Sequence, residues 1–162
     1  MSLYEKHKEL LERAIKANHE RTFFAAYPEH PSPKIYGETA DKDALEAFKK
    51  QVKSNFTELL QSDEDGWKGA EKSPYLGIDI NIQYPYFSSD KLVSKATDAF
   101  HVWRKVSVEQ RTGILIETLD RVKERFFELA YATMHTTGQG YMMAFQASGP
   151  HGNDRALETI AA

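Results

Sequence analysis

Long stretches of the chain place apolar residues at three- and four-residue steps, and shorter stretches rich in proline, glycine or acidic residues separate them. Such steps put apolar side chains on one face of an α-helix, so each long stretch predicts an amphipathic helix. The first helix is predicted to begin after Ser2, which forms a capping-box pattern with Glu5, and to run to about His19 or Phe24. The chain is therefore predicted to be mainly α-helical.

The segment that follows, residues 27–33, carries three prolines and is flanked by aromatic residues. Each proline removes a backbone donor, and so many aromatic rings favour an ordered, packed loop over a flexible linker. A second helix is predicted to begin near Asp41 and to continue through the apolar positions of residues 45–60. The acidic turn at 62–66 lacks the ligand spacing of a calcium loop and is interpreted as a solvated turn.

Residues 76–84 alternate strictly between apolar residues and glycine or polar residues, which predicts a β-strand. A lone strand cannot satisfy its own backbone hydrogen bonds, so it must pair with another segment. Because no second segment of the chain alternates comparably, we expect either a short hairpin here or a partner that this chain lacks. The unpaired pattern is interpreted as a sign that the chain is incomplete.

The longest periodic stretch follows a helix predicted at residues 88–103. Ser107 and Gln110 form a second capping-box pattern, and the apolar pattern then continues to Thr137, where Gly138 provides a left-handed stop. A continuous helix of this length would extend ~45 Å, more than the diameter of a compact domain of this mass. It is therefore predicted to kink or to span more than one neighbour. The chain then stops within a further amphipathic pattern, which is interpreted as weak evidence of truncation.

Composition excludes several classes of protein. The 162 residues carry a net charge of -3 and include no cysteine, which excludes a thiol nucleophile, a disulfide framework and an iron–sulfur cluster. The slightly acidic balance argues against a nucleic-acid partner. No run approaches the ~18 consecutive apolar residues of a membrane span, and the charged N-terminus is unlike a signal peptide. We expect a cytoplasmic protein without membrane contact.

No catalytic, cofactor-binding or metal-ligating residue is assigned from the sequence. The six histidines lack the helical spacing of a metal site, and His101 and His135 are interpreted as packing or capping residues. The glycine-rich segments 138–140 and 149–152 follow no predicted strand and match no phosphate-loop pattern. A stand-alone helical interaction module, or a small-molecule binding module using the aromatic and methionine cluster at 141–145, remains an alternative.

The order of features over residues 84–138 resembles the N-terminal approach to the coenzyme domain in the aldehyde dehydrogenase superfamily. Flanking segments resemble the phenylacetic acid degradation (PaaN-type) family within it, so that the resemblance covers nearly the whole chain. The features that carry these resemblances are the helix start at 88–90, Ala96 and Ala99, Trp103, Ser107 with Arg111, the Thr137-Gly138 helix end, and segments 27–32, 36–38, 73–75 and 141–151.

This resemblance implies an NAD(P)-linked oxidation of an aldehyde at the ring-opening stage of phenylacetate catabolism on coenzyme A thioesters. It also implies that the nucleophilic cysteine, the general-base glutamate and the nucleotide-binding strands lie beyond these residues. The chain is then one N-terminal segment, 1–162, without the complete Rossmann-type domain. Residues 1–87 would form an N-terminal extension, and 88–162 would lead into the missing coenzyme domain.

In such a parent protein the segment would be structural, packing on the coenzyme and catalytic domains and helping to build a homo-oligomer. Arg111 is expected to form a structural salt bridge or a helix-terminus contact rather than to bind substrate. The residues expected in the core or at an interface are Trp103, Leu115, Leu119, Val122 and Phe126.

Overall fold

The structure, a computed structural model, describes all 162 residues as eight helices and one two-stranded antiparallel sheet. The helices are α1 (Leu3–Glu20), α2 (Pro33–Tyr36), α3 (Ala40–Gln51), α4 (Ser89–Trp103), α5 (Val108–Lys123), α6 (Phe126–Thr137), α7 (Tyr141–Ser148) and α8 (Pro150–Ile160), and the strands are β1 (Gly66–Lys68) and β2 (Tyr84–Tyr86). The predicted fold class, mainly α with one short hairpin, is confirmed. None of the helices is both long enough and apolar enough to pass through a bilayer.

The core lies where α1, α5 and α8 pack together and where α6 packs on α3 and α7. Phe126 and Phe145 are fully buried at its centre, together with Ile116 and Leu157. The two phenylalanine rings meet edge to face, with their centroids 6.1 Å apart. Burying each of these side chains stabilises the fold by about 1.5–3 kcal/mol.

The predicted helix boundaries are confirmed where local capping sets them. The Ser2 hydroxyl accepts a hydrogen bond from the Glu5 backbone at 3.2 Å. At α5 the capping box is complete, because Ser107 and Gln110 bond reciprocally, each at 3.2 Å. Gly138 ends α6 in the left-handed conformation with φ of 82°, which glycine adopts without steric cost.

The proline-rich segment is packed, as predicted. Tyr27 is buried in the core, and its ring meets that of Phe126 edge to face at 6.1 Å. The Tyr36 hydroxyl donates to the Pro28 carbonyl, which closes the segment on itself. The three prolines therefore shape a loop that contributes aromatic rings to the core.

The long predicted helix is broken, which confirms the kink that its length implied. α5 ends at Lys123 and α6 begins at Phe126, with Arg125 outside helical geometry between them. The Arg125 guanidinium donates to Glu58 and, at 2.7 and 2.8 Å, to Glu128. One arginine thus ties the break to the loop that follows α3.

The second helix ends at Gln51, well before its predicted end, so the sequence prediction is wrong there. Lys53 takes a positive φ of 60°, and its backbone N–H donates to the Ile80 carbonyl at 2.7 Å. The Phe56 N–H likewise donates to the Gln83 carbonyl at 2.8 Å. These long-range backbone bonds replace the helical ones, although the side-chain periodicity continues.

The strand predicted at 76–84 is wrong in place, whereas the alternative of a pairing within this chain is confirmed. Only its last residue, Tyr84, lies in a strand, and that strand pairs with β1 within this chain, Lys68 opposite Tyr84. Gly77 and Asn81 take positive φ values of 64° and 44°, which interrupt the extended backbone. The supposedly missing partner is therefore present, and the unpaired strand gives no evidence of incompleteness.

Three of the five predicted core positions pack in the core. Phe126 is fully buried, and Leu119 and Val122 pack against the buried cluster. Trp103 and Leu115, in contrast, are exposed, so of the two predicted locations, core or interface, the core does not apply to them. An interface role for these two residues remains a prediction.

Candidate functional site: an uncovered helical face

Helix α4 is joined to the rest of the chain through one polar side. The Asp65 carboxylate accepts the Ser88 backbone N–H at 2.7 Å just before the helix, and this bond, with Lys91 at 3.0 Å, holds the pKa of Asp65 below its usual value. The Lys95 ammonium donates to the Ser62 carbonyl at 2.9 Å. The acidic turn, predicted to be merely solvated, therefore anchors the start of α4.

The remaining surface of α4 has no cover within the chain, since none of its residues is buried. Exposed fractions reach 70% for Val102 and 40% for Trp103. Leu92, Phe100 and Trp103 lie on one stripe together with small alanines, which is the pattern of a helix that packs against a partner. A helix of this length is marginal in water without such packing.

The first turns of α5 also carry exposed apolar residues. Val108 and Leu115 are both exposed. Arg111 lies three residues after Val108 and four residues before Leu115, a spacing that puts the three on the same side of the helix.

Arg111 has no ionic partner within the chain, which contradicts the predicted salt bridge. Its Nε atom is buried and has no hydrogen-bond acceptor, and no carboxylate lies within ion-pair distance. The first turn of a helix is also the end at which the helix dipole disfavours a cation, so a helix-terminus role does not explain the residue. The family resemblance pointed to this arginine, but the salt bridge expected of it is not formed within these residues.

A second polar cluster joins α1 to α5 and was missed at the sequence level. His7 Nε2 lies 2.8 Å from Glu117 Oε2, and His7 Nδ1 lies 3.8 Å from Asp120 Oδ2. Lys6 Nζ also lies 2.6 Å from the Glu117 carboxylate, and Arg121 Nε lies 3.3 Å from it. Hydrogen bonds from Lys6 first, and then from His7, lower the pKa of Glu117 to about 2.

Histidine and carboxylates are metal-ligand types, and ligand atoms of His7, Glu117 and Asp120 lie within 4.8 Å of one another. Two cations of the chain already compensate Glu117, so the contacts describe an ion-pair network that fastens α1 on α5. No sequence motif signals this network, because its members are about 110 residues apart. The prediction that the chain has no metal ligands stays a prediction.

His101 and His135, both predicted to be packing or capping residues, lie in different surroundings and far from the His7 cluster in the sequence. His135 is buried, stacks on Phe48 with ring centroids 5.2 Å apart, and lies 2.9 Å from the Ser73 hydroxyl through Nδ1. The burial and the stack on Phe48 give His135 the packing role that was predicted, and burial also lowers the pKa of His135. His101 lies exposed on α4, with its ring 6.1 Å from Phe100.

The glycine-rich segments join helices and follow no strand. Gly138 ends α6 and Gly140 precedes α7, while Gly149 lies between α7 and α8, where a β-carbon would be 2.6 Å from the Phe145 carbonyl oxygen. These glycines serve tight helix connections. Nothing in their surroundings alters the prediction that the chain contributes no catalytic or cofactor-binding residue, which stays untested.

The aromatic and methionine cluster at 141–145 is divided between the surface and the core. Met142 and Met143 are exposed, whereas Phe145 is buried in the core. A depression of about 820 Å³ lies instead between the end of α1 and α8, and it is lined in part by Arg21 and Glu158.

Comparison with known proteins identifies what this architecture is similar to. Residues 87–149 match the aldehyde dehydrogenase family model. The structure is also similar to the crystal structure of an NAD-dependent aldehyde dehydrogenase from Burkholderia multivorans, with a TM-score of 0.93 and 43% sequence identity over 99% of this chain. The search of curated proteins found no match. The chain spans 28% of the length of the Burkholderia protein, and its fold is that of an aldehyde dehydrogenase segment.

Proposed function

We propose that this chain is part of an aldehyde dehydrogenase-like oxidoreductase of the PaaN type. Such an enzyme would oxidise an aldehyde with NAD(P) at the ring-opening stage of phenylacetate catabolism on coenzyme A thioesters. The observation that carries the oxidoreductase class is the 43% identity, along nearly the whole chain, to an NAD-dependent aldehyde dehydrogenase. The narrower assignment is supported by the sequence resemblance of segments 27–32 and 141–151.

The described residues do not fit a nicotinamide dinucleotide. A dinucleotide site needs a strand, a glycine-rich turn and a helix N-terminus in succession. The two strands here are three residues long and antiparallel, and the glycine-rich segments join helix to helix. The sequence also has no cysteine to act as nucleophile. The reacting groups would therefore belong to other parts of a longer polypeptide.

Within that polypeptide we assign the chain a structural role. The uncovered α4 supports packing against a further domain, because no residue of this helix is buried within these 162 residues and a helix of its length is marginal without such packing. The proposal includes a homo-oligomer, as exposed apolar surface favours association. A cytoplasmic location is part of it too, supported by the absence of cysteine and the charged N-terminal helix.

The rival hypothesis of a stand-alone interaction module requires a paired strand and burial of every apolar stripe. The chain meets the first condition through β1 and β2, but α4 does not meet the second. The rival small-molecule module would bind at the aromatic and methionine cluster, where the two methionines are exposed. The aldehyde dehydrogenase segment therefore accounts for more of the structure than either rival does.

The test is to express the polypeptide encoded by the complete reading frame and to follow nicotinamide reduction with an aldehyde carried on a coenzyme A thioester. We expect activity from that polypeptide. The 162-residue chain, titrated calorimetrically with NAD and NADP, is expected to bind neither. Cofactor binding by the short chain, or an inactive complete product with either cofactor and with simple aldehydes as well, would contradict the proposal.

A further inference from the structure

We propose that the buried Ser73–His135 pair is a proton-sensitive latch. While the imidazole is neutral, the pair holds the loop at residues 73–78 on α6, and the loop is released when the imidazole takes up a second proton. This role goes beyond the proposed function and does not depend on it, because every contact that carries it lies within these 162 residues.

The loop at residues 73–78 is a closed turn that Ser73 holds together. The Ser73 backbone N–H donates to the Ile78 carbonyl at 2.8 Å, and the Gly77 N–H donates to the Ser73 carbonyl at 2.9 Å. The Leu76 N–H donates to the Ser73 hydroxyl oxygen at 3.3 Å. The conformation of the loop therefore depends on both the backbone and the hydroxyl of one serine.

The loop is attached to the rest of the molecule at the end of α6. His135 Nδ1 lies 2.9 Å from the Ser73 hydroxyl, and the imidazole lies flat on the Phe48 ring of α3, with 3° between the two planes. The Tyr75 hydroxyl donates to the Gly138 carbonyl at 3.0 Å. Ser73 and His135 are both buried, whereas Tyr75 is exposed, so the serine–histidine bond is the attachment that water does not reach.

The hydrogen bonds fix which imidazole nitrogen carries the proton. The Ser73 oxygen already accepts the Leu76 N–H, and His135 Nδ1 is the one acceptor within reach of the serine's own hydrogen. Nδ1 is then the unprotonated nitrogen, and the neutral imidazole carries its proton on Nε2. A second proton on Nδ1 would force the Ser73 hydrogen to turn away and would leave it without an acceptor in a buried place, which is unfavourable.

Protonation would also place a positive charge where no counter-charge is paired with it. Of the titratable groups on the surrounding elements, those nearest in the sequence to the contacts of His135 are Glu46, Lys49 and Lys50 on α3, Glu128 and Tyr131 on α6, Tyr141 on α7, and Glu71, Lys72, Tyr75 and Asp79 in or beside the loop. None of them makes an ion pair or a hydrogen bond with the imidazole, and several are engaged with other partners. The charged imidazole is therefore favoured only once the loop has opened to water.

The direction of the pH dependence follows from this burial, which lowers the pKa of His135 from its ordinary value of 6.5. The closed loop binds fewer protons than the open loop, so the latch is fully closed above pH 6.5 and weakens as the pH falls from 6.5 towards the lowered pKa. Because opening takes up one proton in that range, the fraction of open loop should rise by up to about tenfold per pH unit.

Hydrogen exchange followed by mass spectrometry tests the latch in the polypeptide from the complete reading frame. The amides of Leu76 and Gly77 are followed from about pH 7.5 to about pH 5.5, with the intrinsic pH dependence of amide exchange subtracted. We expect their protection to be constant above pH 6.5 and to fall by up to about tenfold per pH unit below it. Amides of α5 around the fully buried Ile116 are the internal reference and should stay protected. Exchange of the imidazole C2 hydrogen in the same samples measures the pKa of His135, which should lie below 6.5.

Substitutions separate the titration from the packing. His135→Phe keeps a ring on Phe48 but does not titrate, so the pH dependence of the loop amides should vanish. His135→Asn, which does not titrate either and keeps an acceptor oxygen near Ser73, gives the same test if the larger ring disturbs the packing. Ser73→Ala should move the pKa of His135 up towards 6.5, because no hydroxyl then bonds the neutral ring. His101→Asn changes an exposed histidine on α4 and is the matched control, which should leave both readouts unaltered.

Several results would overturn the inference. These are a His135 pKa at or above 6.5, loop protection that does not change with pH, a pH dependence that persists in both His135 variants, and an unchanged His135 pKa in Ser73→Ala. Equal loss of protection in the loop and in α5 would mean that acid unfolds the whole fold, and it would overturn the latch as well. None of these readouts is dehydrogenase activity, so failure of the latch leaves the proposed function as it stands.

Discussion

The α-carbon of Gly113 on α5 lies against the backbone of Tyr4 on α1, so closely that a β-carbon at position 113 would be 2.5 Å from the Tyr4 nitrogen. It would also be 2.8 Å from the Leu3 carbonyl carbon. Both neighbours are backbone atoms, which cannot swing aside as a side chain can. The glycine therefore sets the crossing distance of the two helices and places Lys6 and His7 within reach of Glu117.

Gly113→Ala is expected to destabilise the protein. Alanine in a helix interior normally gains about 1 kcal/mol over glycine, but the β-carbon would push α1 away from α5. Overpacking of this kind costs about 1–3 kcal/mol of stability. Because backbone atoms would have to move, the cost at Gly113 should be at or above the upper end of that range. Denaturant unfolding measures the net loss. Gly140→Ala is the control, because a β-carbon there meets nothing within 4 Å; equal stabilities of the two variants would refute the close crossing.

The Glu117 network predicts a particular dependence of stability on pH. The pKa of Glu117 falls from an ordinary 4.5 to about 2 in the folded protein, with Lys6 as the largest cause. A lowered pKa means that the stabilisation is complete above the ordinary value and is lost as the pH falls from about 4.5 towards 2. Glu117→Gln should abolish this share of the acid sensitivity, with the greatest difference from wild type above pH 4.5.

The measurement is urea unfolding of the wild type and of Glu117→Gln at a series of pH values. The difference between their free energies of unfolding is plotted against pH. Glu124→Gln is a suitable control, because that exposed glutamate makes no ion pair and belongs to the same helical region. A wild-type minus Glu117→Gln difference that stays flat from pH 5 to pH 2 would show that the network does not hold the carboxylate in its charged form.

These helix starts and stops could be predicted from the sequence because they depend on residues close to them in the sequence. Ser2, Ser107 and Gly138 act within three or four residues of themselves, and each behaves as expected. The end of α3 could not be predicted, since Lys53 bonds to Ile80, far along the chain, while its side-chain periodicity still indicates a helix. Local pattern carries no information about such a distant backbone partner.

At the candidate site, too, local features could be predicted from the sequence and long-range contacts could not. The apolar stripe of α4 could be predicted from spacing, and Arg111 was indicated by the family resemblance, but periodicity alone does not distinguish a stripe that faces the core from one that faces solvent. The sequence therefore leaves core and interface open for Trp103 and Leu115, which are exposed, as for Phe126, which is fully buried. The His7–Glu117 contact joins residues 110 apart and has no sequence signal at all.

The aromatic centre of the core should be sensitive to loss of volume. Phe126 is fully buried, and its ring lies within 6.2 Å, centroid to centroid, of those of Tyr27, Tyr36 and Phe145. Phe126→Ala is expected to lower the free energy of unfolding by about 3–5 kcal/mol, because a cavity replaces a ring with three aromatic neighbours. Chemical denaturation followed by circular dichroism gives the value.

Phe23→Ala is the matched control for that substitution. The Phe23 ring is 88% exposed, so its removal should change stability by less than about 0.5 kcal/mol. If Phe126→Ala proved as mild as Phe23→Ala, the position of α6 in the core would have to be revised.

Asp41 joins three helices, because the hydroxyls of Tyr131 on α6 and Tyr141 on α7 both donate to its Oδ1 atom at the start of α3. Burial first, and then this carboxylate, raises the pKa of both phenols. A raised pKa means that the stabilisation is complete below the ordinary value of 10.0 and is lost as the pH rises beyond it. Asp41→Asn keeps an acceptor oxygen but removes the charge, so both phenols should ionise at lower pH while burial keeps them above 10.0.

An alkaline absorbance titration of phenolate formation measures this shift, and Tyr36 supplies an internal reference. Its pKa is raised to about 12 by burial and by Asp154, so its step should stay in place when Asp41 changes. Asp43→Asn changes an exposed carboxylate two residues along α3, and it should leave the whole titration curve unaltered. Because both hydroxyls donate to the Oδ1 atom of Asp41, the titration steps of Tyr131 and Tyr141 should move together. Movement of one step alone would mean that the carboxylate binds a single tyrosine and does not join α6 to α7.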